Sequence, residues 1–304
     1  MTAPRIGVPS RGRLREECLA LLSAAGYTTS MLHGGGSIAA VEGMELIEMR
    51  PRDAAAALAA GQLDAAFLAT DIVDEYDLTE LLALPLGFSR SDLVVASRDD
   101  DGRNGVGDLA GAVVATHLPQ VTRRFFAAKG IDVTVVAMGG ALEGVCAAGL
   151  ADAIVDLRET GTSLATNRLR VLERIESCEA LFVRRGDTPG YSGATASLPE
   201  DSHSRPTASL HEDSLDGLSL RLESVLTARR HRYVMLHVPR ERLDDLRTVF
   251  PGLASPTVLP LAGRQDLLAV HFVVLADELW SRLGDLRALG ATGIVALQPQ
   301  ALLA

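Results

Sequence analysis

The chain has 304 residues, enough for about two domains, and its 47 % hydrophobic content must build cores from Ala, Leu and Val because aromatics are only 4 %. A net charge of −10 argues against a nucleic-acid backbone as partner, which needs excess Lys and Arg, while leaving room for a small anion in a local basic pocket. Cys18, Cys146 and Cys178 form no CxxC pair, the opening "MTAPRIGVPSRGRL" has no signal-like apolar stretch, and no apolar run is long enough to span a membrane. A cytoplasmic protein with reduced cysteines, no membrane contact and no structural zinc is expected.

In chain order, Ile6-Gly7-Val8 reads as a strand closed by Pro9, and residues 14–25 repeat Leu at helical spacing up to Gly26. "MELIEM" (44–49) and "LDAAFLA" (63–69) read as strands flanking an Ala-rich helix at 53–61, the unit of a parallel or mixed α/β sheet. "LVVAS" (93–97) is another strand, followed by an acidic surface loop at 99–108. "AVVATH" (112–117), a helix over 120–129 and "DVTVVAM" (132–138) repeat the pattern. A helix near 141–149, a strand at 153–156 and a late strand, "EALFVRR" (179–185), complete this part. Two α/β lobes follow from these two passes: residues 1–90 with a return near 175–185, and residues 91–175. Ligands of open α/β folds sit in the cleft between such lobes.

Gly, Pro, Ser, Thr and Asp dominate residues 186–213, which read as a linker. Residues 214–304 then run helix (214–230), strand (233–239), helix (240–250), two strands, helix (277–289), strand (293–298). The β-α-β-β-α-β order within this segment is ferredoxin-like and suits a regulatory domain.

The chemistry concentrates in "ADAIVDLRETGTSLATN" (151–167). Asp156 ends a short buried strand, and Thr160, Gly161, Thr162 and Ser163 precede a segment that can be helical from Leu164. Amides at a helix start attract phosphate, glycine lets the backbone approach it, and hydroxyls add donors. A carboxylate four residues earlier suits the hydroxyls of a sugar. Together they describe a ribose 5-phosphate site; the same residues also fit a plain helix capped by Thr162 or Ser163.

This stretch resembles the phosphoribosyl-diphosphate loop of the ATP phosphoribosyltransferases, the first enzymes of histidine biosynthesis. "RIGVPSRGRL" (5–14), "RPRDAAAALAAGQLDAAFLATD" (50–71), "VATHLPQVTRRFFAAKGI" (114–131) and "GALEGVCAAGLADAIVDLRETGTSLATNRL" (140–169) are similar to further segments of that family. "YVMLHVPRERLDDL" and "PGLASPTVLPLAG" (251–263) resemble the C-terminal domain of its long form. The resemblance implies a body of two lobes like type II periplasmic binding proteins, plus an ACT-like regulatory domain. It implies displacement of pyrophosphate from phosphoribosyl diphosphate by N1 of ATP, with Mg²⁺. It further implies a homo-hexamer inhibited by histidine.

Under that reading Glu143, Asp152 and Asp156 hold the ribose at the reacting centre, and Thr160, Gly161, Thr162 and Ser163 hold its 5-phosphate. Arg11, Gly12, Arg13, Arg50, Arg52 and Asp71 are candidates for the pyrophosphate and acceptor, since a leaving diphosphate needs cations. Leu253, Ser255 and Thr257, with His237 on a facing strand, match positions around the family's histidine pocket. The metal ligands and a general base are not assigned, and none of the seven histidines has an evident catalytic partner in sequence.

The chain departs from the family pattern in its first lobe. Gly36-Ser37 stand where Arg-Leu is usual, Ala69 where glycine is, and Ala54-Ala55 after Asp53 where Ile-Pro is. Ser89, Ser91 and Asp92 alter a Gly-Phe-Gly-x-Cys-Arg-Leu-like segment, putting a carboxylate at an often basic position. Two alternatives follow: a paralogue acting on another nitrogenous acceptor, and a non-catalytic sensor or regulatory partner with the same fold. If Asp92 lines the acceptor pocket, it is expected to repel a triphosphate.

Overall fold

Continuous apolar runs with no polar alternation belong to strands buried on both faces, and two of three neighbouring strands in the first sheet carry them, while the other carries Glu45 and Glu48. In the computed structural model, which describes residues 3–33, 37–186, 214–250 and 256–303, the three are β1 (Arg5–Pro9), β3 (Met44–Met49) and β4 (Ala65–Ala69). Helices α1 (Gly12–Ala24) and α2 (Ser30–His33) and strand β2 (Ile38–Val41) come between β1 and β3. Helix α3 (Pro51–Ala59) connects β3 to β4, opening with Pro51 and carrying Asp53 in its first turn, where a carboxylate suits the helix dipole. Its Ala54, Ala55 and Leu58 face inward. The packing there is tight: a Cβ on Gly7 would sit 3.0 Å from Leu63 Cδ1 and 3.1 Å from Ala54 Cβ.

Helix α4 (Thr70–Glu75) and strand β5 (Leu82–Pro85) follow. The chain then makes a second sheet from β6 (Ser91–Arg98), β7 (Val113–Thr116), β8 (Thr134–Ala137), β9 (Ala153–Arg158) and β10 (Leu169–Cys178). Helices α5 (Pro119–Ala128), α6 (Leu142–Ala147) and α7 (Thr162–Thr166) lie between these strands in sequence. Strand β11 (Ala180–Arg184) returns to the first sheet. The strand orders are β2-β3-β1-β4-β11-β5 and β10-β6-β9-β7-β8. β1 is parallel to β3 and β4, and β7 to β8 and β9, whereas β11 pairs antiparallel with both β4 and β5. One apolar cluster joins residues of both sheets, from Leu58 and Leu68 to Val95, Val114 and Val155.

After α8 (Ser214–Arg230) come β12 (His231–Pro239), α9 (Asp245–Val249), β13 (Thr257–Leu261), β14 (Arg264–Leu275), α10 (Ala276–Ala288) and β15 (Thr292–Leu297). They form an antiparallel sheet of order β13-β14-β12-β15, the ferredoxin-like arrangement. Alternate residues of β12 and β14, among them Val234, Leu236, Val270 and Phe272, join Leu246, Phe250, Leu279 and Leu286 in its core. Two compact units result, Met1–Ser23 with Tyr27–Asp216, and Ala24–Gly26 with Gly217–Ala304.

Several expectations need correction. β9 extends to Arg158, so Asp156 lies inside the strand rather than at its tip. The following helix starts at Thr162 and has only 5 residues, so its dipole is short. β10, β2 and β5 were not expected; β10 is an edge strand with bulges, rich in the charges that edges carry. The acidic loop is not all surface: the Asp101 side chain is 3 % exposed and paired with Arg103. Residues 240–250 hold a 3₁₀ turn, Arg240–Arg242, and the short α9 rather than one helix. β14 lies between β12 and β13, so Thr257 is not on a strand facing His237. Gly36, Leu253, Ser255 and all but the first residue of the expected linker lie outside the described residues.

Candidate active site

The loop between β9 and α7 is shaped by Gly161, which takes φ +79°, a left-handed conformation that glycine adopts without strain. Thr160 Oγ1 and Thr162 Oγ1 lie 3.0 Å apart, and both residues are exposed. Thr166 Oγ1 donates to the Thr162 carbonyl and Asn167 Nδ2 to the Ser163 carbonyl, each at 2.9 Å, closing the short helix behind the loop. Ser163 Oγ donates to Glu143 Oε1 at 2.5 Å, so the first turn of α6 and the loop meet.

Asp156 is close to this pair. Burial, and next to it the negative charges of Glu143 and Asp71, push its carboxyl up to about 6, against a pull downward from the Leu157 N–H. That N–H reaches Asp156 Oδ1 at 2.8 Å. His117, just past β7, places Nδ1 3.5 Å from Asp156 Oδ1. Burial lowers the His117 pKa, and the positive charge of Arg52 lowers it further. Arg52 from the first sheet's α3 thus comes within electrostatic range of the second sheet's site. Sequence patterning did not single out His117, because its carboxylate partner comes from a neighbouring strand.

Asp71 opens α4 and is 2 % exposed. Burial pushes its carboxyl up to about 6, while its own N–H and that of Ile72 hold it down. Its Oδ1 is buried without a hydrogen-bond partner. The neighbouring Glu75, 8 % exposed, accepts from the N–H of Gln120 at 2.9 Å and of Val121 at 3.0 Å. α4 of the first sheet thereby caps α5 of the second, which positions the two lobes.

Arg13 reaches across from the first turn of α1: Nη1 donates to Glu159 Oε2 at 3.1 Å and Nε to Glu17 Oε1 at 3.3 Å. Gly12 takes φ +79° with open space around it, and Arg11 and Arg50 are exposed. The structure does not bring Asp152 to the cluster. It precedes β9, and its carboxylate is held by Arg103 at 2.8 Å and the Val113 N–H at 2.9 Å. Both lower its pKa, the Val113 N–H most. Asp152 is therefore a structural tie, not a neighbour of the reacting centre. Asp92 is not a free repelling charge either: Arg158 Nη2 donates to it at 2.6 Å and Arg174 Nη1 at 3.4 Å.

In the second unit, His237 pairs with Ala269 of β14 and Thr292 of β15, and Gly293 leaves only 3.3 Å between a would-be Cβ and His237 Nδ1. Among the described residues no group of three or more His, Cys, Asp or Glu is placed to hold a metal by itself, and no helix is long and apolar enough to cross a membrane.

Residues 50–194 match the family model described as ATP phosphoribosyltransferase, and residues 228–299 the model for the C-terminal domain of the same family. The ATP phosphoribosyltransferase of Gemmatimonas aurantiaca is 37 % identical over 296 residues, 96 % of each chain. That of Methanocella arvoryzae is 33 % identical, again over 96 % of each. Among solved structures, an ATP phosphoribosyl transferase (HisG:HisZ) complex from Thermotoga maritima superposes with a TM-score of 0.52 at 28 % identity, covering 60 % of this chain and 87 % of that one. The fold is the expected α/β body of two sheets, followed by a ferredoxin-like C-terminal domain of the kind that family carries. The chain belongs to the ATP phosphoribosyltransferase family, the pentosyltransferases of the first step of histidine biosynthesis.

Proposed function

We propose that the Thr160–Ser163 loop holds the 5-phosphate of phosphoribosyl diphosphate while Asp156 and Glu143 hold the ribose hydroxyls. The observation that carries this reading is the Ser163–Glu143 contact beside Asp156, which joins hydroxyl donors and carboxylate acceptors in one cluster. The phosphate meets hydroxyls and the backbone around Gly161, and the diol meets carboxylates. In the transfer, the bond from C1 to the diphosphate oxygen breaks as N1 of ATP bonds to C1, and pyrophosphate leaves with the electron pair. Carboxylates near C1 offset the positive charge it develops, and a ribose fixed at both ends keeps C1 in line with the nitrogen.

Arg13, Arg52 and, from the exposed turns, Arg11 and Arg50 supply cations for the diphosphate and the triphosphate. A Mg²⁺ arriving on the diphosphate would take protein oxygens from Asp156 or Glu143. That ion would neutralise charge on the leaving group. ATP is the acceptor we favour over another nitrogenous base, because the pairing of Asp92 with two arginines removes the reason for a triphosphate to be repelled. Inhibition by histidine through the C-terminal unit, with His237 in its neighbourhood, a homo-hexameric assembly and a cytoplasmic location belong to the same reading.

The test is pyrophosphate release from phosphoribosyl diphosphate, ATP and Mg²⁺, together with calorimetry of phosphoribosyl-donor binding. Thr162→Val keeps shape and removes a hydroxyl, so donor affinity should fall by roughly 1.5–3 kcal/mol. Unchanged affinity in a folded variant would remove the loop from the site.

A further inference from the structure

A cavity of about 450 Å³ lies beside Glu159, with Arg90, Asp92, Arg158 and Ser177 in its wall. Asp92, the second residue of β6, lies directly opposite Arg158, the last residue of β9. Three groups converge on its carboxylate. Arg158 Nη2 donates to Oδ2 at 2.6 Å, Ser177 Oγ to Oδ1 at 3.2 Å and Arg174 Nη1 to Oδ1 at 3.4 Å. These bonds, that of Arg158 foremost, hold the carboxyl below its ordinary range.

The other end of Arg158 meets the loop. A Cβ on Gly161 would lie 3.7 Å from Arg158 Cδ and 4.0 Å from Cγ, so the stem of the arginine passes on the side of the left-handed glycine where a side chain would stand. A long, flexible side chain, 35 % exposed, is thus fixed at its guanidinium by Asp92 and runs along its stem beside the glycine that shapes the loop.

We infer that Asp92 is a positioning residue for the reaction: it fixes Arg158 so that the Arg158 stem supports Gly161 and keeps the Thr160–Ser163 loop in its phosphate-receiving shape. This rests on the reading that the loop holds the 5-phosphate. Asp92 touches no substrate; it acts through Arg158.

The test is steady-state kinetics on the full chain with phosphoribosyl diphosphate and ATP. Asp92→Asn removes the charge and one of the two acceptor oxygens, loosening the guanidinium without changing side-chain volume. It should raise KM for the phosphoribosyl donor roughly tenfold, with kcat and the KM for ATP unchanged. Arg158→Ala, which removes the stem, should do the same and reports on the link from its other end if Asp92→Asn folds poorly. The charge swap Asp92→Arg with Arg158→Asp restores the cross-strand pair but leaves no stem under Gly161. It should recover thermal stability and leave the donor KM high. A swap that restores the donor KM would show that the pair only staples β6 to β9 and would overturn the inference. So would Asp92→Asn with a normal donor KM while Thr162→Val raises it. If Thr162→Val leaves the donor KM unchanged as well, the loop reading itself fails, and the inference with it.

Discussion

Replacing Asp71 with Asn should stabilise the protein at neutral pH and cost it activity. The carboxyl is 2 % exposed, its Oδ1 has no partner, and burial raises its pKa from the ordinary 3.8 to about 6. A rise of roughly two units corresponds to about 3 kcal/mol. The folded chain binds this proton more tightly than the unfolded chain does. The carboxyl therefore costs stability above pH 6, and the cost fades as pH falls toward 4. Asn keeps an acceptor for the Asp71 and Ile72 N–H groups and cannot ionise. Its NH₂ takes the place of an oxygen that already lacks a partner, which returns part of the gain, so a net of about 1–2 kcal/mol is expected at pH 7.5. Thermal unfolding followed by circular dichroism should show a Tm several degrees above the parent at pH 7.5, and the two curves should converge near pH 4. An Asn variant less stable than the parent at pH 7.5, or a gain of equal size at both pH values, would refute the argument. A buried, unpaired carboxylate kept despite this cost is what a site trading stability for function contains.

Glu75→Gln should destabilise by about 1–3 kcal/mol in urea titrations, because it weakens the acceptor of the Gln120 and Val121 N–H groups. If Asp156 must be ionised to hold the ribose, kcat/KM for phosphoribosyl diphosphate should fall tenfold per unit below pH about 6, where its burial places the titration, rather than below 4. Asp152→Asn should lower stability through the Arg103 tie and leave the KM for phosphoribosyl diphosphate unchanged; a raised KM would return Asp152 to the site. His237→Ala should raise the histidine concentration needed for half-inhibition with the uninhibited kcat intact, and unchanged inhibition would place the effector elsewhere.

The parts of the fold legible in the sequence are those whose burial is uniform. β4, "AAFLA", and β9's "AIV" are apolar on both faces because helices or strands cover them, and such runs need no knowledge of neighbours. β10, "LRVLERIESC", sits at an edge and is broken by bulges at two places, so its charges and irregular alternation hide a ten-residue strand. The site divides in the same way. Thr160, Gly161, Thr162 and Ser163 are contiguous, and their chemistry can be read in a line. Asp152 and Asp156 are also close in sequence, but four strand positions span roughly 13 Å, so the carboxylate just before β9 and the one inside it meet different partners. His117 reaches Asp156 through the pairing of β7 with β9, Asp71 and Arg52 act on Asp156 and His117 from helices of the other sheet, and Arg158 meets Asp92 across a register between residues 66 positions apart.

The placement of β11 between β4 and β5 has a consequence for how the chain is made. Thr70, at the end of β4, hydrogen-bonds Glu179 across a separation of 109 positions. During synthesis the apolar edge of β4 therefore has no neighbour until the whole second sheet has been translated. β5, which pairs only with β11 among the described strands, has none either. At 5–20 residues per second that interval is about 5 to 20 s. The second sheet is contiguous in sequence and can close on emergence, while the first waits with a bare strand edge, the kind that recruits other chains. The ribosome-bound nascent chain, rather than the finished enzyme, is where this protein would most need a chaperone.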